Sequence, residues 1–213
     1  MRDLQPLRPS TILRKKSMFF FFVMLPLLLL LFITTYFFQS PLIDLDTRMI
    51  MFVHQFASPV LDQVAIILNY LGGVPTAIVL MLLLVGYSMQ IKSKNISFIL
   101  TSVIGAVSIS WLLKVLVNRP RPMLWPRLVP DYGASFPSGH SVYAAALACI
   151  VILLFWRTKW RFAVSGLALV WMVFMGLARV YLGVHYPSDV LAGWALGWGW
   201  VFLVYYSLNQ IKY

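Results

Sequence analysis

The chain has 213 residues, 61% of them hydrophobic and 11% charged, where a soluble domain carries roughly 25% charged residues. Its 17 lysines and arginines face 6 acidic residues, all aspartates, for a formal charge of +11, and Cys149 is its one cysteine. These numbers exclude an intrachain disulfide, a cysteine-based zinc or iron–sulfur site and a His-Glu-x-x-His metalloprotease; they predict an all-α polytopic membrane bundle, one integral-membrane domain over 1–213.

Six transmembrane helices are predicted. The first, 17–38, "SMFFFFVMLPLLLLLFITTYFF", follows Arg14, Lys15 and Lys16 as a signal sequence would. Its length of about 22 residues exceeds a signal peptide's apolar core and no small-x-small cleavage pattern follows, so a retained helix is expected. Residues 41–73 set Asp44, Asp46, Arg48, His54 and Asp62 among apolar residues at helical spacing. They read as one or two amphipathic helices on the membrane surface, with a packing role. The remaining spans are 74–91, with a start as early as Val60 allowed, then 96–118, 138–156, 162–180 and 187–208.

Loop charge sets the orientation. Arg2, Arg8, Arg14, Lys15 and Lys16 precede span one, Lys92 and Lys94 join spans two and three, Arg157, Lys159 and Arg161 join four and five, and Lys212 follows six. The positive-inside rule then places both termini in the cytoplasm of a cell-membrane protein and assigns the basic excess to topology rather than to nucleic acid. The end of span three, the start of four, the end of five and the start of six share the opposite, periplasmic or exterior, face. Those four ends carry the unusual chemistry.

Lys114 is predicted on the last helical turns of span three, with Arg121 on a loop stiffened by Pro120 and Pro122. Pro137-Ser138-Gly139-His140 opens span four, where serine is a helix-cap signal, glycine admits a ligand near the backbone, and unpaired helix-start amides favour an anion. Arg179, His185 and Asp189 follow, with Pro187 at the first position of span six and Asp189 four residues after His185. That spacing suits a carboxylate orienting an imidazole, and equally a pair of metal ligands or a helix-start hydrogen bond. Charge separates these: Lys114, Arg121 and Arg179 against Asp189 leave about +2, which matches a phosphomonoester at −1.5 to −2 and repels a divalent metal.

Lys114-x6-Arg121-Pro122, Pro137-Ser138-Gly139-His140 and Arg179-x5-His185-x3-Asp189 match, in order, the three-part signature of the type 2 phosphatidic-acid phosphatases, over 114–189. Ala178 stands where that signature usually has serine. The resemblance implies an integral-membrane lipid phosphate phosphatase with no cofactor and no required metal. It implies that His185 attacks phosphorus and forms a phosphohistidine, that Asp189 orients it, and that His140 protonates the leaving oxygen. Lys114, Arg121, Ser138, the Gly139 amide and Arg179 are implied to hold the phosphoryl oxygens. The expected substrate is a membrane lipid: undecaprenyl diphosphate, phosphatidylglycerophosphate, phosphatidic acid or a lipid A phosphate. The alternatives are a lipid-to-lipid phosphotransferase, a serine hydrolase built on Ser138, and a transporter or lipid-binding scaffold.

Overall fold

The computed structural model describes residues 17–36, 40–90, 95–130 and 132–210. Arg2, Arg8, Arg14, Lys15, Lys16, Lys92, Lys94 and Lys212, on which the predicted orientation largely rests, lie outside the described residues.

Among the described residues the fold is all-helical. A π-helical stretch, Phe20–Met24, leads into α1 (Leu25–Tyr36). There follow α2 (Ser40–His54), α3 (Pro59–Leu71), α4 (Val74–Gln90), α5 (Ile96–Val117), α6 (Gly139–Phe155), α7 (Arg161–Tyr181) and α8 (Pro187–Gln210). Large apolar side chains such as Leu83, Leu116, Phe162 and Leu167 are exposed on the outside, as a surface in contact with hydrocarbon requires and a soluble fold avoids. The chain is an integral membrane protein.

Among the described residues, four segments are long and apolar enough to cross a bilayer alone: 17–35, α5, α7 and 187–208 of α8. The pair α3 and α4 qualifies as a fifth, but the two helices meet at 54° across Gly72 and Gly73, as a broken span or a re-entrant turn. The predicted fourth span falls on α6, which has 17 residues. At 1.5 Å per residue it reaches about 25 Å, less than the ~30 Å hydrocarbon core. Pro137 bounds it on one side; on the other, Thr158 turns the chain back by bonding Phe155 O through both its amide and its hydroxyl, at 2.9 and 2.8 Å.

Short as it is, α6 lies at the centre. Ala144, Ala145 and Ala148 are buried along it, and Val142, Ala146, Leu147, Cys149 and Ile150 pack with Ile99 and Val103 of α5 and Leu196 and Val201 of α8. Small residues let α8 lie directly against α6. A Cβ on Gly193 would come within 2.8 Å of Ser138 O, and one on Gly197 within 2.5 Å of Val142 O. Membrane helices associate by such close backbone approach. Gly197→Ala is therefore expected to lower the thermal midpoint in detergent, by about 1–3 kcal/mol of overpacking. Gly166→Ala, where a Cβ meets nothing within 4 Å, is expected to be neutral or to gain up to about 1 kcal/mol from helix propensity. Equal effects at the two glycines would refute the backbone contact.

Candidate active site

The ends of five helices, α3 to α7, and two loops converge on one cavity. Helix α5 ends with Lys114 in its last turn and Asn118 in the left-handed region at φ 44°, which turns the chain out of the helix. The loop beyond doubles back on itself through Ser135 N to Arg119 O at 2.8 Å, then enters α6 through Phe136 and Pro137, joined by a cis peptide bond. Ser138 occupies the predicted cap position, but its side chain caps nothing; it accepts from Ser141 Oγ at 3.0 Å. Its amide donates to Asp189 O at 3.0 Å, which ties the start of α6 to the start of α8.

Between α7 and α8 the chain turns within residues 182–186. Gly183 takes φ +65°, and a Cβ there would also strike Trp125, so both conformation and space require glycine. This turn holds His185 at 3% exposure between two helix ends. Pro187 opens α8, as predicted, and Asp189 Oδ2 reaches back to accept from Tyr186 N at 2.9 Å, the return bond of a capping box. Asp189 thus serves the helix start and faces the histidine together.

His185 Nε2 lies 3.0 Å from Arg121 Nη1. A guanidinium only donates, so Nε2 accepts, and the imidazole proton is assigned to Nδ1. Nδ1 lies 3.3 Å from Ser135 Oγ and 3.5 Å from Asp189 Oδ2, and Ser135 Oγ itself donates to Asp189 Oδ2 at 2.5 Å. Burial holds the His185 pKa well below the ordinary imidazole value; Arg121 and Arg179 push the same way, against the Asp189 carboxylate. The ring is neutral, with its lone pair on Nε2.

The cations are held by carbonyls and amides. Arg121 donates to Gly133 O and Val184 O, each at 2.9 Å, and to Tyr132 O at 2.8 Å; Lys114 Nζ donates to Ala134 O at 2.7 Å. Buried Arg179 donates to Asn69 Oδ1. The Asn69 carbonyl lies 2.9 Å from His140 Nε2, which therefore carries a proton.

Lys114, Arg121, Gly139, His140, Arg179 and His185 line a cavity of about 220 Å³, with Asn69, Tyr132 and Tyr143. Ser138 and Asp189, both fully buried, stand behind its wall. All eight predicted residues thus gather at one end of the bundle. Sequence reasoning missed Asn69, Ser135, Arg119 and Asp46; Arg119 Nη1 donates to Asp189 Oδ1 at 2.7 Å, and Asp46 pairs with Arg119 at 2.8 Å. Asp46 and Asn69 come from α2 and α3, which the sequence assigned to packing. Two histidines, three cations and a helix start around so small a space fit a doubly charged tetrahedral anion.

Comparison with known proteins agrees with this arrangement. Over 106 residues the chain is 39% identical to phosphatidylglycerophosphatase B of Bacillus subtilis, covering 47% of this chain and 52% of that protein. Over 109 residues it is 38% identical to an undecaprenyl-diphosphatase of Sulfolobus acidocaldarius, covering 50% and 48%. The matches thus span about half the length of these curated relatives. A crystal structure from B. subtilis, described as a transmembrane PAP2 type phosphatidylglycerolphosphate phosphatase, superposes with a TM-score of 0.80 at 27% identity over 87% of this chain and 95% of that one. Residues 95–213, more than half the chain and all the signature positions, match the sequence pattern of the PAP2 superfamily, and the chain belongs to that family.

Proposed function

We propose that the chain is an integral-membrane lipid phosphatase, a single domain that removes a phosphomonoester or diphosphate headgroup through a phosphohistidine on His185. One observation carries the reading: a neutral, buried imidazole, whose Nε2 accepts from Arg121 at 3.0 Å until substrate phosphate draws that guanidinium away, borders a cavity walled by Lys114, Arg121 and Arg179. In the reaction His185 Nε2 bonds to phosphorus while the bond from phosphorus to the lipid oxygen breaks, and His140 supplies the proton that oxygen takes up. Water then attacks phosphorus with His140 as base, the P–N bond breaks, and phosphate leaves. Lys114, Arg121, Arg179 and the Gly139 amide stabilise charge on the equatorial oxygens throughout, with Ser138 fixing the helix start that carries that amide.

A membrane lipid as substrate is supported by a second cavity, about 570 Å³, lined by Leu80, Leu83, Leu84, Leu147, Val151, Leu167 and Trp171 between α4, α6 and α7. A small void of about 10 Å³ shares Leu80, Leu147 and Trp171 with this cavity and Tyr143 with the catalytic one, so the apolar cavity lies close to where a phosphate headgroup would sit. The six-span reading takes α6 as a short central crossing and α3 with α4 as a broken one. Both termini are then cytoplasmic and the site faces the periplasm or exterior of the cell membrane. Arg157, Lys159 and Arg161, at the far ends of α6 and α7 from the site, support that orientation.

Purified protein in detergent with EDTA is expected to release phosphate from at least one lipid among phosphatidylglycerophosphate, undecaprenyl diphosphate, phosphatidic acid and lipid A. Loss of release in EDTA that returns with a divalent cation refutes the metal-free chemistry. Release only when an acceptor lipid is added points to phosphotransfer instead.

A further inference from the structure

Behind the nucleophile, next to Asp189, lies a buried pair of charges, Asp46 and Arg119, that neither the signature positions nor the cavity lining includes. The Arg119 guanidinium is 1% exposed and is gripped from three sides. Nη1 donates to Asp189 Oδ1 and to Ser188 Oγ, both at 2.7 Å; Nη2 donates to Asp46 Oδ2 at 2.8 Å; and the Tyr186 ring lies 4.0 Å beneath the plane. Asp46, 2% exposed, is itself fixed by Ser188, whose amide donates to Oδ1 at 3.0 Å and whose hydroxyl donates to Oδ2. Asp46 belongs to α2, outside the residues that match the family pattern, whereas Ser188 and Asp189 open α8.

We propose that Asp46 is a positioning residue for the nucleophile: from α2 it fixes the Arg119 guanidinium, which in turn aims the Asp189 carboxylate at His185. The inference rests on the phosphatase reading above. Asp189 has two oxygens with divided duties. Arg119 occupies Oδ1, and Oδ2 faces Ser135 Oγ, the Tyr186 amide and His185 Nδ1. A planar guanidinium held at two nitrogens by two different carboxylates cannot rotate. Without the Asp46 acceptor it is free to turn and take Asp189 in a two-pronged pair, drawing Oδ2 away from the imidazole. A buried ion pair adds little stability compared with well-packed apolar side chains, so its presence here is better explained by the geometry it enforces. The pair adds one charge of each sign, so the balance of the site that favours phosphate is unchanged.

The test compares wild type, Asp46→Asn and the double variant Asp46→Leu/Arg119→Met in detergent with phosphatidylglycerophosphate, measuring kcat, KM, thermal midpoint and the rate at which labelled substrate yields an acid-labile phosphoenzyme. Asp46→Asn is expected to lower kcat and phosphoenzyme formation about 10- to 100-fold with KM changed less than about twofold, the size of effect seen when a ligand's orienting partner is removed. The double variant, which removes both charges together, is expected to melt at or above the wild-type temperature while kcat stays at least about tenfold down. Recovery of kcat in the double variant would show a purely structural pair and overturn the inference, as would an Asp46→Asn enzyme within twofold of wild-type kcat. If Asp46→Asn does not fold, the double variant alone decides by the same criterion. A wild type that forms no phosphoenzyme and releases no phosphate from any lipid tested overturns the phosphatase reading, and this inference with it.

Discussion

His185→Ala is expected to reduce phosphate release by about 10⁴-fold or more and to abolish the phosphoenzyme, because the nucleophilic Nε2 is removed while the cationic cavity remains. Vanadate or phosphate binding, which uses Lys114, Arg121 and Arg179, should persist in the variant; residual turnover above one per cent would exclude His185 as nucleophile. The same residue predicts a pH signature. Its pKa is held well below the ordinary value of about 6.5 by burial, so the free enzyme keeps its nucleophile neutral as pH falls through that value. The acid limb of kcat/KM therefore lies below pH 6.5. Stability behaves in the linked sense. The unfolded chain takes up a proton at this histidine below about pH 6.5 while the folded chain does not, so His185 destabilises the fold as pH drops through that window.

Asp189→Asn is expected to cost about 10³- to 10⁴-fold in kcat, the scale known where an orienting carboxylate fixes a catalytic imidazole. Asp189 accepts on every side: Arg119 at one oxygen, Ser135 and the Tyr186 amide at the other, with His185 Nδ1 beyond. An asparagine amide turned either way points donors at donors, either at Arg119 or at the Ser135–Tyr186–His185 group. The imidazole loses the acceptor that keeps its proton on Nδ1, and Nε2 becomes protonated in part of the population. The measurement is kcat alongside KM: a rise in KM with kcat intact would mean that Asp189 acts on substrate binding rather than on the nucleophile.

Much of the site was legible because its side chains sit at helix ends marked by breakers. Pro120 and Pro122 close α5, Pro137 and Gly139 open α6, and Gly183 and Pro187 separate α7 from α8, so the positions of Lys114, His140, His185 and Asp189 relative to the apolar spans follow from local rules. What escaped were residues whose partners are distant in sequence. Asp46 meets Arg119 across 73 positions and Asn69 meets Arg179 across 110, and no periodicity announces either contact. The clue available was charge: Arg119 stands beside Arg121 on the face that carries five of the six aspartates, and a buried guanidinium needs a carboxylate. The span count was harder to read for a different reason. Helix α6 is shielded by its neighbours and need not be as long as a helix facing lipid, and the Gly72–Gly73 bend splits one apolar run into two short helices.

That α2 and α3 send Asp46 and Asn69 into the heart of the machinery bears on how relatives of this protein can be recombined. A chimera that grafts residues 41–73 from another member, in order to change which headgroup is admitted, also exchanges the brace behind the nucleophile and the Asn69 side-chain amide that holds Arg179. Grafts that keep both side chains should separate substrate choice from turnover; those that discard them will look inactive for a reason unrelated to the lipid offered.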